Sequence, residues 1–200
     1  ALISLSNLTD KRMRDAKTGA WYNDFAWRGL ANNSVAYTDK PDMETYMDEW
    51  LSLVKSKSGE RGIFNRVAAQ TQAGKQGRDS TLNYGTNPCS EIILRDKQFC
   101  NLSEVVVRST DTEATLTKKI VLATILGTIQ STLTDFKFLS HEWKQNTSEE
   151  RLLGVSLTGI MDAKITSKPD PKMLERLRNV ARKTNEKYAK ILDVPVSASI

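Results

Sequence analysis

Asn87-Pro88-Cys89-Ser90-Glu91 gathers an amide, a thiol, a hydroxyl and a carboxylate into one short run, and a second thiol follows in Gln98-Phe99-Cys100-Asn101-Leu102-Ser103. A thiol serves as a nucleophile, a redox centre or a hydrogen-atom donor, and a carboxylate serves as a general base. Pro88 fixes its own φ and biases Asn87 away from the helical region, which predicts an extended backbone here. In an extended chain every second side chain shares a face. Asn87, Cys89 and Glu91 are therefore expected to point the same way. Gly85 permits a sharp turn just before them, which would place the three at a loop tip within a cavity. A turn at Arg95-Asp96-Lys97 would let two extended segments bring Cys100 towards Cys89.

Other chemistries fit less well. Most unbridged cysteines are small buried apolar residues, so packing alone is an alternative reading of both thiols. A thiol–disulfide exchanger of the usual kind needs Cys-x-x-Cys or a helix N-terminus that acidifies the thiol, and neither pattern occurs. Two cysteines and a distant His141 supply too few ligands for a structural zinc site. His141, in Ser140-His141-Glu142-Trp143, reads as a surface or helix-end residue.

The elements that must hold these groups follow from periodicity. Leu2 to Leu8 alternates like a strand, Thr9-Asp10 caps a short helix to Lys17, and Trp21 to Arg28 reads as an aromatic loop. Asn33 to Tyr37 is a second strand. Asp39 and Pro41 open a helix with Met43, Tyr46, Met47, Trp50, Leu51 and Val54 on its expected inward face. Ile63, Val67 and Ala68 mark another helix, and a polar, turn-rich stretch runs from Gly74 to Asn87. Phe99 to Val107 is strand-like, and Leu116 to Leu133 is apolar on most faces and expected to be buried. Thr147 to Leu153 resembles a capped helical turn, Gly154 to Thr158 a short strand, and Asp170-Pro171 the start of a long helix to Leu192. That helix is expected to turn Leu174, Leu177, Ala181, Tyr188 and Ile191 inward. Val194 to Ile200 alternates again. Strands alternating with helices predict an α/β architecture with mostly parallel strands, as a barrel or an open sheet.

The chain has 200 residues, 39% of them hydrophobic, and only two cysteines, which excludes disordered, collagenous and disulfide-stapled classes. No run of about 18 apolar residues is present to span a membrane. The net charge of +5 comes from scattered basic residues rather than the stripe that nucleic-acid binders show. No signal-peptide pattern is visible, and both ends look like strands cut open, so the chain is expected to be a segment of a longer polypeptide.

Asn87-Pro88-Cys89-Ser90-Glu91-Ile92 followed by Phe99-Cys100-Asn101-Leu102 resembles the active-site finger loop of ribonucleotide reductase. The short gap between the cysteines is similar to the adenosylcobalamin-dependent class II enzymes rather than the iron-dependent class I enzymes. Leu30-Ala31-Asn32-Asn33-Ser34-Val35-Ala36 resembles a class II barrel segment, and Leu153 to Asp162 resembles the family's Gly-x-Gly-Val-Thr-Gly-Leu region. Ser197-Ala198-Ser199-Ile200 is similar to the entry to the family's substrate-phosphate loop.

The resemblance implies an α/β fold: a segment of the ten-stranded α/β barrel of the ribonucleotide reductase and glycyl-radical type. Residues 1–200 would be part of one catalytic barrel domain, incomplete at both ends. It implies reduction of ribonucleoside di- or triphosphates by a thiyl-radical mechanism, with adenosylcobalamin, bound mainly outside this chain, as radical generator. In that scheme Cys89 takes the 3′ hydrogen, Glu91 is the general base on the 3′ hydroxyl, and Asn87 and Ser90 bind substrate. Cys100 is one of two reducing thiols, and its partner cysteine, like the effector loop at or before Ala1, is not among these residues. The isolated segment is expected to be inactive. The implied partners are the ribonucleotide, a thioredoxin- or glutaredoxin-type reductant, dNTP and ATP effectors on the full-length enzyme, and the rest of the same enzyme, with neither membrane nor nucleic acid. The implied location is the cytoplasm, the reducing compartment of a bacterium or virus-infected cell. Two alternatives are a class I catalytic subunit served by a separate metal-radical subunit, and a non-catalytic nucleotide- or nucleic-acid-binding module.

Overall fold

The computed structural model describes the backbone of residues 2–200 and the side chains from Leu5 onward. The chain forms two compact units, the first ending at Asp96 and the second beginning at Lys97.

The first unit starts with strand β1 (Leu2–Ser6) and helix α1 (Lys11–Arg14), whose N-cap Asp10 accepts a hydrogen bond from the Met13 N–H. Helix α2 (Trp21–Asp24) and a 3-10 turn (Ala26–Leu30) follow, where an irregular loop was expected. Edge-to-face packing of Phe25 on Trp27, with the Arg28 guanidinium 4.0 Å from the Phe25 ring centre, gives these turns a local framework. Strand β2 (Ala31–Tyr37) lies between β1 and β3 (Gly62–Asn65), both parallel to it. Helix α3 (Met43–Ser56) connects β2 to β3, and helix α4 (Arg66–Lys75) starts directly from β3, with Asn65 as its N-cap. Ile63 is therefore a strand residue rather than the start of a helix. A two-stranded antiparallel hairpin, β4 (Gly85–Thr86) and β5 (Ile93–Leu94), completes the unit. Ala36, Phe64, Ala69, Ala73 and Tyr84 form its core, with Leu5, Leu82 and Ile93 packed against them.

Helix α3 turns its apolar stripe away from this core. Met43, Met47, Trp50, Leu51 and Val54 are all exposed, and the residue it buries completely is Glu49. The cause is charge pairing. Arg61 donates from Nε to Glu49 Oε1 at 2.5 Å and from Nη2 to Oε2 at 2.8 Å, and Arg14 donates to Oε2 at 3.2 Å. A buried carboxylate must be paired, so this bonding fixes the rotation of the helix.

In the second unit, β6 (Asn101–Val106) pairs in parallel with β7 (Leu153–Thr158), from Asn101 opposite Leu153 to Val106 opposite Thr158. Between them run α5 (Glu113–Gln130) and α6 (His141–Glu150). Thr147 thus lies within a helix, not at its start. After β7 come a 3-10 turn (Ile160–Asp162), α7 (Lys164–Ser167) and α8 (Pro171–Ile191), which starts at N-cap Asp170 with Pro171 at its first position. Val105, Val107, Leu116, Ile120, Ala123, Met173, Leu177 and Ala181 belong to one core.

Helix α5 also departs from its expected burial. Leu122, Leu126 and Ile129 are exposed, while Thr124, Gly127 and Thr128 are buried. The threonine hydroxyls donate to the carbonyls of Ile120 and Thr124, and Thr128 Oγ1 accepts from Asn185 Nδ2 of α8 at 3.0 Å. Small residues with satisfied hydroxyls make the close helix contact, which leaves the bulky residues outside. Leu174 and Ile191 of α8 are likewise exposed rather than inward. Residues 194–200 form no strand. They run beside the α6–β7 junction, where the Ala198 N–H donates to the Glu150 carbonyl at 2.8 Å and the Leu153 N–H donates to the Ser199 carbonyl at 3.2 Å.

Among the described residues the strands form three sheets, of three, two and two strands. No helix of the described residues is long and apolar enough to cross a membrane.

Candidate functional site

The β4–β5 hairpin carries Asn87, Cys89, Ser90 and Glu91 on the loop between its strands. Its root is rigid. Tyr84 is fully buried and donates its hydroxyl proton to the Asp79 carbonyl at 2.8 Å, with the Arg78 guanidinium 4.8 Å from its ring centre. Arg78 also donates to the Ile93 carbonyl on the opposite strand at 2.8 Å, and Arg66 of α4 donates to the Tyr84 carbonyl at 3.1 Å. Both strands of the hairpin are thus tied to the body of the unit before the loop begins.

The loop itself is a turn rather than an extended segment. The Ser90 N–H donates to the Asn87 carbonyl at 3.0 Å, closing a β-turn with Pro88 at its second position. Ser90 adopts a left-handed backbone, φ 64°. Proline at this position favours the turn as readily as the extended chain, and Asn at the first position completes it. The alternating-face argument for Asn87, Cys89 and Glu91 therefore does not apply.

Asn87 is half-buried and works across the neck of the loop. Its Oδ1 accepts from the Ile92 N–H at 3.0 Å and from the Thr86 hydroxyl at 3.4 Å, and its N–H donates to the Ile92 carbonyl at 3.4 Å. Cys89, Ser90 and Glu91 lie beyond this closure, all three exposed. A pinned neck thus presents a thiol, a hydroxyl and a carboxylate in consecutive positions.

Cys100 belongs to the second unit. The residue is half-buried, and neither cysteine is in a disulfide. The residues before it lie along α6. Lys97 is ion-paired with Glu142. Gln98, itself buried, donates from Nε2 to the Asn146 carbonyl at 3.1 Å and to Glu150 Oε2 at 2.6 Å. The Phe99 N–H donates to Thr147 Oγ1 at 3.2 Å, and the Phe99 ring packs against Phe136 and Trp143 at 5.0 and 4.6 Å between centres. On the other side of Cys100, the Asn101 N–H and Nδ2 both donate to the Leu152 carbonyl, at 2.9 and 3.1 Å.

The sequence alone assigns Gln98, Thr147 and Glu150 no functional role. A glutamine beside a strand and a threonine inside a helix carry no motif, and their role comes from a long-range pairing. His141 is exposed at the first position of α6. Among the described residues, no group of three or more His, Cys, Asp or Glu is placed to hold a metal ion.

No protein-family model matches the chain, and no solved structure matches it. Among curated proteins it is 30% identical over 145 residues to the adenosylcobalamin-dependent ribonucleoside-triphosphate reductase of Lacticaseibacillus paracasei. The match takes in 68% of this chain and 18% of that protein, so the chain spans less than a fifth of the length of this relative.

Proposed function

We propose that the chain is a catalytic segment of a ribonucleotide reductase of the adenosylcobalamin-dependent kind, and that its hairpin loop carries the reacting thiol. The carrying observation is the pinned loop of Asn87 that presents Cys89 and Glu91 to solvent. The partial similarity to a ribonucleoside-triphosphate reductase supports the reading. The ten-stranded barrel and the remaining partners belong to this same proposal.

In this reading Cys89 bears a sulfur-centred radical and takes the hydrogen atom from C3′ of the ribose, becoming a thiol. Glu91 accepts the 3′-hydroxyl proton, which eases departure of the 2′ hydroxyl. That hydroxyl leaves as water with a proton from one thiol of a reducing pair. The second thiol supplies the hydrogen that replaces it at C2′, and the two sulfurs end joined as a disulfide. Cys100 is one member of the pair, and the other is a cysteine of the enzyme outside these 200 residues. As the disulfide forms, the sulfurs pass one electron back to the 3′ carbonyl left by water loss, and Glu91 returns its proton to that oxygen. Cys89 then returns its hydrogen to C3′ and regains its radical, so each turnover consumes two thiols and yields one deoxyribonucleotide, one water and one disulfide. Asn87 holds the loop through Oδ1 and has Nδ2 to donate to the substrate, while Ser90 offers its hydroxyl.

Adenosylcobalamin supplies radical-initiating chemistry by homolysis of its cobalt–carbon bond. Among the described residues, no group of three or more His, Cys, Asp or Glu is placed to hold a metal ion, and no residue of this chain is assigned to the cofactor. Its site is assigned to the rest of the enzyme, and no step here runs through it.

Substrate tritiated at C3′ tests the reading in the complete enzyme. Cys89→Ala is expected to abolish both tritium loss and deoxyribonucleotide formation. Cys100→Ser is expected to abolish product formation yet retain tritium loss. Product formed by Cys89→Ala overturns the proposal.

A further inference from the structure

Cys100 sits between two anchored stretches, and the anchors converge on one short region of the second unit. Gln98 is 5% exposed and bonds to both the Asn146 carbonyl and the Glu150 carboxylate. Thr147, 2% exposed, accepts from the Phe99 N–H through its hydroxyl. These two contacts fix the backbone immediately before the thiol. After it, both amide groups of Asn101 donate to the Leu152 carbonyl. The same junction holds residues 197–199 through the Glu150 carbonyl, the Leu153 N–H and the Ser197 hydroxyl.

Buried polar side chains are costly unless they are bonded, and Gln98, Glu150 and Thr147 are bonded to one another's neighbourhoods rather than to solvent. Their combined effect is to deny the 98–101 segment freedom to slide or rotate. A reducing thiol must meet both its substrate carbon and its partner sulfur, and disulfide geometry tolerates little error. Misplacement by about 1 Å is enough to cost a reaction on the order of 100-fold.

We infer that Gln98 and Thr147 are positioning residues for the reducing thiol Cys100: they clamp its segment to α6, so that the reduction half of the reaction depends on them and the hydrogen-abstraction half at Cys89 does not. The inference rests on the reductase reading above and assigns to that reading a part of the molecule no motif marks.

The test uses the complete enzyme and three variants. Thr147→Val removes the hydroxyl at nearly constant volume, Thr147→Ser keeps it, and Gln98→Met removes the amide. Thr147→Val and Gln98→Met are each expected to lower deoxyribonucleotide formation ~10- to 100-fold. Tritium loss from C3′ is expected to stay at the wild-type rate in both. Alkylation of Cys100, followed by peptide mass spectrometry, should speed up several-fold while that of Cys89 is unchanged. Thr147→Ser should restore both product formation and the wild-type alkylation rate of Cys100. The inference is overturned if product formation is unaffected, or if product formation and tritium loss fall together as general unfolding requires. Should Gln98→Met not fold, the Thr147→Val and Thr147→Ser pair decides by alkylation rate alone. Persistence of tritium loss in Cys89→Ala is a separate failure, which removes the functional reading itself.

Discussion

Asn87 divides its amide between two tasks, and substitution separates them. Oδ1 closes the neck of the loop through the Ile92 N–H, while Nδ2 is available to a substrate. Asn87→Asp keeps an oxygen for the neck and loses the donor. It should leave stability unchanged near neutral pH and lower turnover ~10- to 100-fold. Asn87→Ala loses both functions and should add a stability cost of about 1 kcal/mol, the usual net worth of one hydrogen bond, read by urea denaturation. Equal turnover in the two variants with unequal stability would confine Nδ2 to the catalytic task. Glu49 gives a harsher case. Glu49→Gln leaves Arg61, 2% exposed, without its counter-charge and should destabilise the protein by about 3–5 kcal/mol in the same assay. The motif around Cys89 was readable because its residue types are chemically unusual together. The turn was not, because Pro88 is compatible with both an extended chain and a turn, and the hydrogen bond from Ser90 to Asn87 decides between them.

At the scale of elements, the ends of helices were more legible than their faces. Asp170-Pro171 announces α8, because a side-chain acceptor and a proline are both suited to a helix start, and Asp170 does bond the Lys172 and Met173 N–H groups. Thr112 caps α5 and exchanges bonds with Thr115, so Thr112→Ala should cost about 1 kcal/mol of stability by thermal or urea unfolding. The inward faces of α3 and α5 are not legible from hydrophobicity, because polar groups choose them. In α3 the choice falls to Glu49 and its two arginines, and in α5 to Thr124, Gly127 and Thr128 against α8. Gly159 directly follows β7. Its φ is 74°, and an added Cβ would lie 2.7 Å from the Val107 carbonyl oxygen, so Gly159→Ala should destabilise by roughly 1–3 kcal/mol. Full stability in that variant would mean the turn adapts.

At the scale of the whole chain, acid should weaken both units through different carboxylates. In the first, burial pushes Glu49 up, but the hydrogen bonds and charges of Arg61 and Arg14 outweigh it and hold the carboxyl below its ordinary value. In the second, Asp111 is held down to about 2 by the Lys119 ammonium first, then by the Arg108 N–H and the Thr115 hydroxyl. A carboxyl depressed in the folded state stabilises above its unfolded pKa and loses that effect as pH falls through the folded one. For Asp111 the window runs from the ordinary 3.8 down to about 2. Asp111→Asn should flatten the stability–pH curve there, and an unchanged slope would show that its ion pair contributes little. Part of the order of strands and helices is legible along the chain, but β3 reads as the start of a helix, the 21–30 turns as a loop and residues 194–200 as a strand. The pairing of β6 with β7 across the intervening helices is not legible, because register between distant strands leaves no local mark.

The outward stripe of Met43, Met47, Trp50, Leu51 and Val54 has a practical outcome at the bench. Contiguous oily patches of this sort drive molecules together as concentration rises. Prepared alone, the polypeptide should scatter light increasingly with concentration and with ammonium sulfate. A mild detergent, or lysines at Met43 and Val54, should keep it monodisperse.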